Sequence, residues 1–205
     1  MDKKQVRPEL CPFEVPFLDD FDLDVDELVI SVYKSTIDGI DRLDKKRSAE
    51  LKAEEDEEAH PQMISIWEYS VQRMKYHAGN MALVSLLSLF DDWLGHRAGG
   101  KDWKSRFQTL IGRYREEGPL SLDELEAMVI ARNSIIHHSG QSNYTWNTPH
   151  QVEAKFLQFD EIYHDDRVGL EEPLLASLCK ELKAQVAFWN EKDKAAGMDK
   201  TRGSI

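Results

Sequence analysis

The sequence predicts a mainly α fold: an antiparallel helical bundle with a small irregular or β-hairpin excursion before its last helix. Three observations predict it. Apolar residues recur with helical period in five stretches, Gly and Pro punctuate the gaps between them, and most gaps are too short for anything but antiparallel neighbours.

Pro8, Pro12 and Pro16 fall at every fourth position of residues 1–19, which blocks helix and predicts an extended arm. Phe13, Phe17 and Phe21 share that spacing and suit docking of the arm on a surface. Leu28, Val29, Val32, Tyr33, Thr36, Ile37, Ile40 and Leu43 then recur with helical period. The acidic start Asp22, Asp24 and Asp26 suits the positive end of a helix dipole. This first helix is expected to run for about 20 residues and to fade into the charged run from Asp44 to Glu58, read as a solvated helix end or linker. A long second helix is expected from about Met63 to Ala98, stopped by Gly99-Gly100, and a third from about Lys101 to Glu116, ended by Gly118-Pro119. Ser121 with Glu124 three residues on is a capping box that starts a fourth helix reaching about His137, before Ser139-Gly140. QSNYTWNTPH reads as loop. Val152 to Phe159 is rich in strand formers and is expected to pair irregularly with the segment up to Leu170. Pro173, in a first-turn position, opens the last helix. The expected organisation is an acidic arm and helix over residues 1–58, a helical bundle over 59–192 and a frayed tail over 193–205.

With 205 residues, 41% hydrophobic and 31% charged, the chain has the composition of a globular protein with one sizeable core. It carries 38 acidic against 26 basic residues, a net charge of −12, which argues against a protein whose main task is coating nucleic acid. The acid is concentrated: residues 1–58 hold 18 acids and 9 bases, so the rest is nearly neutral. Cys11 and Cys179 are the only cysteines and have no metal-ligand spacing, so no disulfide framework, structural zinc or other metal site is expected. The longest apolar stretch, Met81 to Phe90, is half of what a bilayer span needs, about twenty residues. The first residues have no apolar region of the secretory type. These features read as a soluble cytoplasmic protein with no membrane contact.

Leu122 to Gly140, LDELEAMVIARNSIIHHSG, is the most informative segment. On a helical wheel Leu125, Met128, Val129, Ile135 and Ile136 fill one apolar arc, and Arg132 falls inside it. A guanidinium there needs a carboxylate, backbone carbonyls or a ligand anion, because leaving it buried and unpaired costs several kcal/mol. Asp91 and Asp92 on the second helix are the candidate carboxylates. His137 and His138 close the same helix, where imidazolium suits the negative end of the dipole. Arg132 and His137 lie about 140° apart on an ideal helix, so one copy makes a poor site and a two-fold pair of motif helices is expected to gather two sets.

Arg132-Asn133-Ser134-Ile135-Ile136-His137 resembles the Arg, polar residue, three spacers, His signature of HEPN domains, and RNSIIHHSG is similar to their RN-x-I-x-H-x-x-G rendering. The likeness covers about residues 63–190, with Asp91-Asp92 near the end of the long helix as the family layout has it. It implies a metal-independent endoribonuclease of a toxin–antitoxin or antiviral defence system, without cofactor. RNA is the implied partner, with a homodimer and an antitoxin or sensor protein as further partners. By the same resemblance Arg132 holds the scissile phosphate and His137 is general acid or base. Asn133 orients the phosphate or the histidine, and Asp91 or Asp92 fixes Arg132. His138 is assigned to phosphate binding or to orienting its neighbour. Some members carry a modifiable Tyr two residues after the His; here that position is Ser139, so regulation by that route is not expected. Tyr144 and Trp146, just past the motif, are either loop anchors or platforms for an unpaired base. Two other readings compete: a non-catalytic HEPN dimerisation or nucleotide-binding scaffold, and a metal-dependent bundle hydrolase using Asp91, Asp92, His137 and His138.

Overall fold

The structure is a computed structural model that describes residues 21–53, 60–146, 148–160 and 164–197, with the side chains of residues 21–27, His60 and Trp146 outside the description. The expectations for the proline-spaced arm, for Cys11, for the end of the acidic run and for the last residues of the tail fall outside the described residues.

Five helices carry the fold, as the apolar periods require: α1 Phe21–Ala53, α2 His60–Arg97, α3 Trp103–Tyr114, α4 Leu122–His138 and α5 Glu172–Ala195. Between α4 and α5 lie two antiparallel strand pairs, β1 Asn143–Trp146 with β2 Thr148–Gln151 and β3 Leu157–Asp160 with β4 Asp165–Val168, joined by a single 3-10 turn, Ala154–Phe156. The excursion expected before the last helix is therefore present. It is larger than the sequence suggests, since residues 143–146 and 148–151 pair as strands, with Tyr144 opposite His150, where a loop is expected.

α1 also runs further than expected, remaining helical through the charged stretch to Ala53. It lies antiparallel along α2, where Lys75 reaches Asp41 at 2.6 Å and the Trp67 indole donates to Asp44 at 2.8 Å. It also meets α5, through Lys34 and Glu172 at 2.9 Å. Such exposed ion pairs contribute less than about 1 kcal/mol each; they record the register more than they hold it.

The core is aromatic at its centre. Phe90 stacks on Trp93, Trp93 on Trp189, and Phe107 meets Trp189 edge-on at 4.9 Å, tying α2, α3 and α5 together. The fully buried Gln185 of α5 donates to the Glu117 carbonyl and accepts from the Leu120 amide, both at 2.8 Å, and so pins the turn that starts α4. At the other end, Asp193 is bonded to both Arg97 and Tyr114. The first residues of the tail expected to fray are thus helix held by partners on α2 and α3.

Candidate functional site

α4 begins where the capping box places it. The Ser121 hydroxyl accepts from the Glu124 amide at 3.2 Å, and the Glu124 carboxylate accepts from the Ser121 amide at 2.8 Å. These bonds hold the Glu124 carboxyl below the usual carboxylate range. From there Leu125, Met128 and Val129 are buried, as their arc predicts, and so are Ala127, Ala131 and Ser134 on another side of the helix. Small residues let neighbouring backbone approach closely, a signal the apolar arc alone does not carry. Ile136, assigned to the arc, is 43% exposed.

Arg132 is half-buried on this helix. Its Nη1 donates to Asn133 Oδ1 at 3.3 Å, while its Nε is buried with no hydrogen-bond partner among the described residues. The side chain borders a pocket of about 20 Å³ together with Phe90, Asp91, Leu94 and Trp103, space for little more than one water. Asp91 lies across that pocket, but its carboxylate accepts from Arg106 of α3 at 2.7 Å. Asp92 is exposed. The carboxylate expected to fix Arg132 therefore pins α3 to α2.

His137 and His138 close α4 with their rings 6.3 Å apart. His137 is exposed and His138 half-buried, so the structure separates two residues that look alike in sequence. His138 stacks on Tyr144 at 4.3 Å, and Tyr144 stacks on its cross-strand partner His150 at 5.3 Å. The buried Tyr144 hydroxyl also donates to the Ile130 carbonyl at 3.1 Å, and burial raises its pKa. Tyr144 is in this way an anchor between hairpin and helix, with its ring taken up by two imidazoles. The Trp146 side chain lies outside the described residues.

Apart from Gly140, the turn that presents the histidines is built from residues the motif does not name. Ser139 and Gly140 both have positive φ, 55° and 79°, which reverses the chain directly after His138. The Ser134 hydroxyl donates to the Gln141 carbonyl at 2.6 Å, closing the turn from inside. β4 closes it from outside: the buried Arg167, paired with Asp165 at 2.8 Å, donates to the Ser139 carbonyl, and the Val168 amide donates to the Gly140 carbonyl at 2.7 Å. α2 completes the frame through Asn80, whose amide donates to the Val168 carbonyl at 3.0 Å. Tyr76 stands beside Gly140, and burial pushes its phenol up to about 12. Of these supports only Gly140 leaves a trace in sequence, as a helix stop; Arg167, Asn80 and Tyr76 reach the turn from distant segments.

Arg132, Asn133, His137 and His138 thus share one short, rigidly ended helix, with an arginine holding spare donors and a histidine open to solvent. An arginine of this kind can bind an anion, and a histidine can move a proton. Among the described residues no three His, Cys, Asp or Glu side chains gather as a metal-ion site, and no helix is long and apolar enough to cross a membrane. Comparison with protein-family models, with curated proteins and with solved structures finds no match to this chain.

Proposed function

We propose that this chain is a HEPN-like, metal-independent endoribonuclease acting as a homodimer in the cytoplasm, in a toxin–antitoxin or antiviral defence setting with an antitoxin or sensor protein as partner. The observation that carries the reading is Arg132: a half-buried guanidinium whose Nε has no hydrogen-bond partner among the described residues, one and a half turns from a solvent-open His137. An anion that drew Arg132 out of its tight pocket would satisfy those donors, and a phosphodiester is such an anion.

In this reading the Arg132 guanidinium binds the non-bridging oxygens and offsets charge that builds on the phosphorus. His137 takes the 2′-hydroxyl proton as that oxygen attacks in line, or gives a proton to the departing 5′-oxygen. The P–O5′ bond breaks as the P–O2′ bond forms, leaving a 2′,3′-cyclic phosphate and a 5′-hydroxyl. Asn133 steadies Arg132, and His138, held by Tyr144, keeps the end of the helix in place.

A second reading is a non-catalytic dimerisation or nucleotide-binding scaffold; its dimerisation form is favoured by one observation, that the pocket of about 20 Å³ at Arg132 is far smaller than a phosphate group needs. Incubation of the purified chain with total RNA in EDTA decides between them. Cleavage that is lost in Arg132→Ala and His137→Ala supports the endoribonuclease. RNA left intact by the wild-type chain while it is retained on the protein supports the scaffold.

A further inference from the structure

Asp91 of α2 stands between two arginines. Among the described residues it is the one acid that borders the pocket of about 20 Å³ at Arg132, a gap that holds about one water. Its carboxylate nevertheless accepts from Arg106 Nη1 of α3 at 2.7 Å. The same nitrogen donates to the Asp91 carbonyl and Arg106 Nε to the Gly100 carbonyl, both at 3.4 Å. The guanidinium of Arg106 lies over Gly95, one turn beyond Asp91, where an added Cβ would already touch it at 3.5 Å. The start of α3 fixes this placement, since the Asp102 carboxylate accepts from the Ser105 amide at 2.8 Å and Arg106 is the next residue.

We propose that Arg106 is a positioning residue for Arg132: by holding the Asp91 carboxylate it keeps that anion from closing onto the Arg132 guanidinium, and so leaves the Arg132 donors to a phosphate. The phosphate rests on the endoribonuclease reading; the withheld carboxylate rests on the geometry alone. Arg132 Nε is buried with no hydrogen-bond partner among the described residues, and an unmade bond of that kind costs the desolvation of the donor. A freed carboxylate across so small a gap would satisfy it. The other walls are apolar, Phe90, Leu94, Trp103 and Val129 among them, and low polarity strengthens a charge-assisted bond once it is made. An Asp91–Arg132 pair would therefore be hard for an incoming phosphate to open. The pair with Arg106 instead leaves the Asp91 side chain 44% exposed.

This role differs from that of a pin between α2 and α3 in one respect. Removal of Arg106 and removal of the Asp91 charge break the same ion pair, so a pin loses equally by either. For Arg132 the two are opposite: without Arg106 the carboxylate is released to it, and without the Asp91 charge there is no carboxylate to release.

The test uses the full chain with Arg106→Met, which keeps the apolar stem of the side chain, Asp91→Asn and the two together. Without RNA, urea midpoints are measured through a cycle of Asp91→Asn and Arg132→Met. The coupling between these two substitutions is expected to rise when Arg106→Met is added, because Asp91 then bonds to Arg132. With RNA in EDTA, Arg106→Met is expected to slow single-turnover cleavage at subsaturating substrate by about tenfold, the loss of one hydrogen bond to a charged group. Asp91→Asn is expected to stay near the wild-type rate, and adding it to Arg106→Met is expected to restore cleavage. Equal losses from Arg106→Met and Asp91→Asn, or a double variant no faster than Arg106→Met, overturn the proposal, and so does a coupling that does not rise. A wild type that leaves RNA intact overturns the endoribonuclease reading, and the urea cycle then decides by itself whether Arg106 withholds Asp91.

Discussion

The imidazole of His138 lies stacked on the ring of Tyr144, centroids 4.3 Å apart and planes 20° from parallel. This contact joins the last residue of α4 to the first hairpin and decides which of the two adjacent histidines stays in solvent. It separates two contributions of one side chain. Tyr144→Phe keeps the ring and loses the bond to the Ile130 carbonyl, so it is expected to cost about 1 kcal/mol. Tyr144→Ala removes a buried aromatic and is expected to cost about 3–5 kcal/mol. Urea denaturation of both variants checks the ratio; equal losses would mean that the hydroxyl, and not the stack, fixes the hairpin.

Gly79 is expected to tolerate no side chain. A Cβ there would stand 2.1 Å from the Leu170 carbonyl oxygen, backbone against backbone, so neither partner has a rotamer with which to yield. Gly79→Ala would ordinarily favour a helix; here overpacking is expected to destabilise by about 3 kcal/mol. A thermal melt at or above that of the wild type would show that α2 and the segment after β4 are less closely packed than described.

The capping box at Ser121 gives a prediction with a sign in pH. Ser121→Ala is expected to lose about 1 kcal/mol near neutrality. Because the Ser121 amide and hydroxyl hold the folded-state pKa of Glu124 below its ordinary value, the carboxylate's share of the cap is present above the unfolded-state pKa. It is lost as pH falls through the depressed folded-state value. The gap between wild type and Ser121→Ala, followed by urea titration from neutral to acid pH, should narrow in that range. A gap that widens on acidification contradicts the assignment.

What is legible in the sequence is whatever local chemistry decides. The cap at Ser121, the stops at Gly99-Gly100 and Ser139-Gly140, and Pro173 in the first turn of α5 each act through their own backbone, and the helix ends they mark lie within a few residues of where they place them. β1 and β2 are not legible, because the alternation of NYTW spans only four residues, TPHQ has none and Pro149 lies in the second strand; the pair stands on the stacking of Tyr144 between helix and hairpin. The partner of Asp91 is equally hidden. Arg106 and Arg132 are both within reach of α2 by topology, and only the packing of α3 gives the carboxylate to Arg106. Asp193 looks like part of a polar tail until the fold brings Arg97 and Tyr114 to it.

The central claim is that Arg132 and His137 cleave RNA by 2′-hydroxyl attack, and single-turnover cleavage of a defined RNA in EDTA tests it most directly when the product ends are identified. Gln at either histidine retains a hydrogen-bonding side chain and loses proton transfer near neutral pH. The account predicts 2′,3′-cyclic phosphate ends from the wild type and none from Arg132→Ala. His137→Gln is expected to slow cleavage by about 10²-fold or more, as loss of a general acid or base does. His138→Gln, whose ring is held by Tyr144, is expected to slow it much less. Cleavage that survives His137→Gln and fails in His138→Gln, or products with 3′-hydroxyl ends, would contradict it.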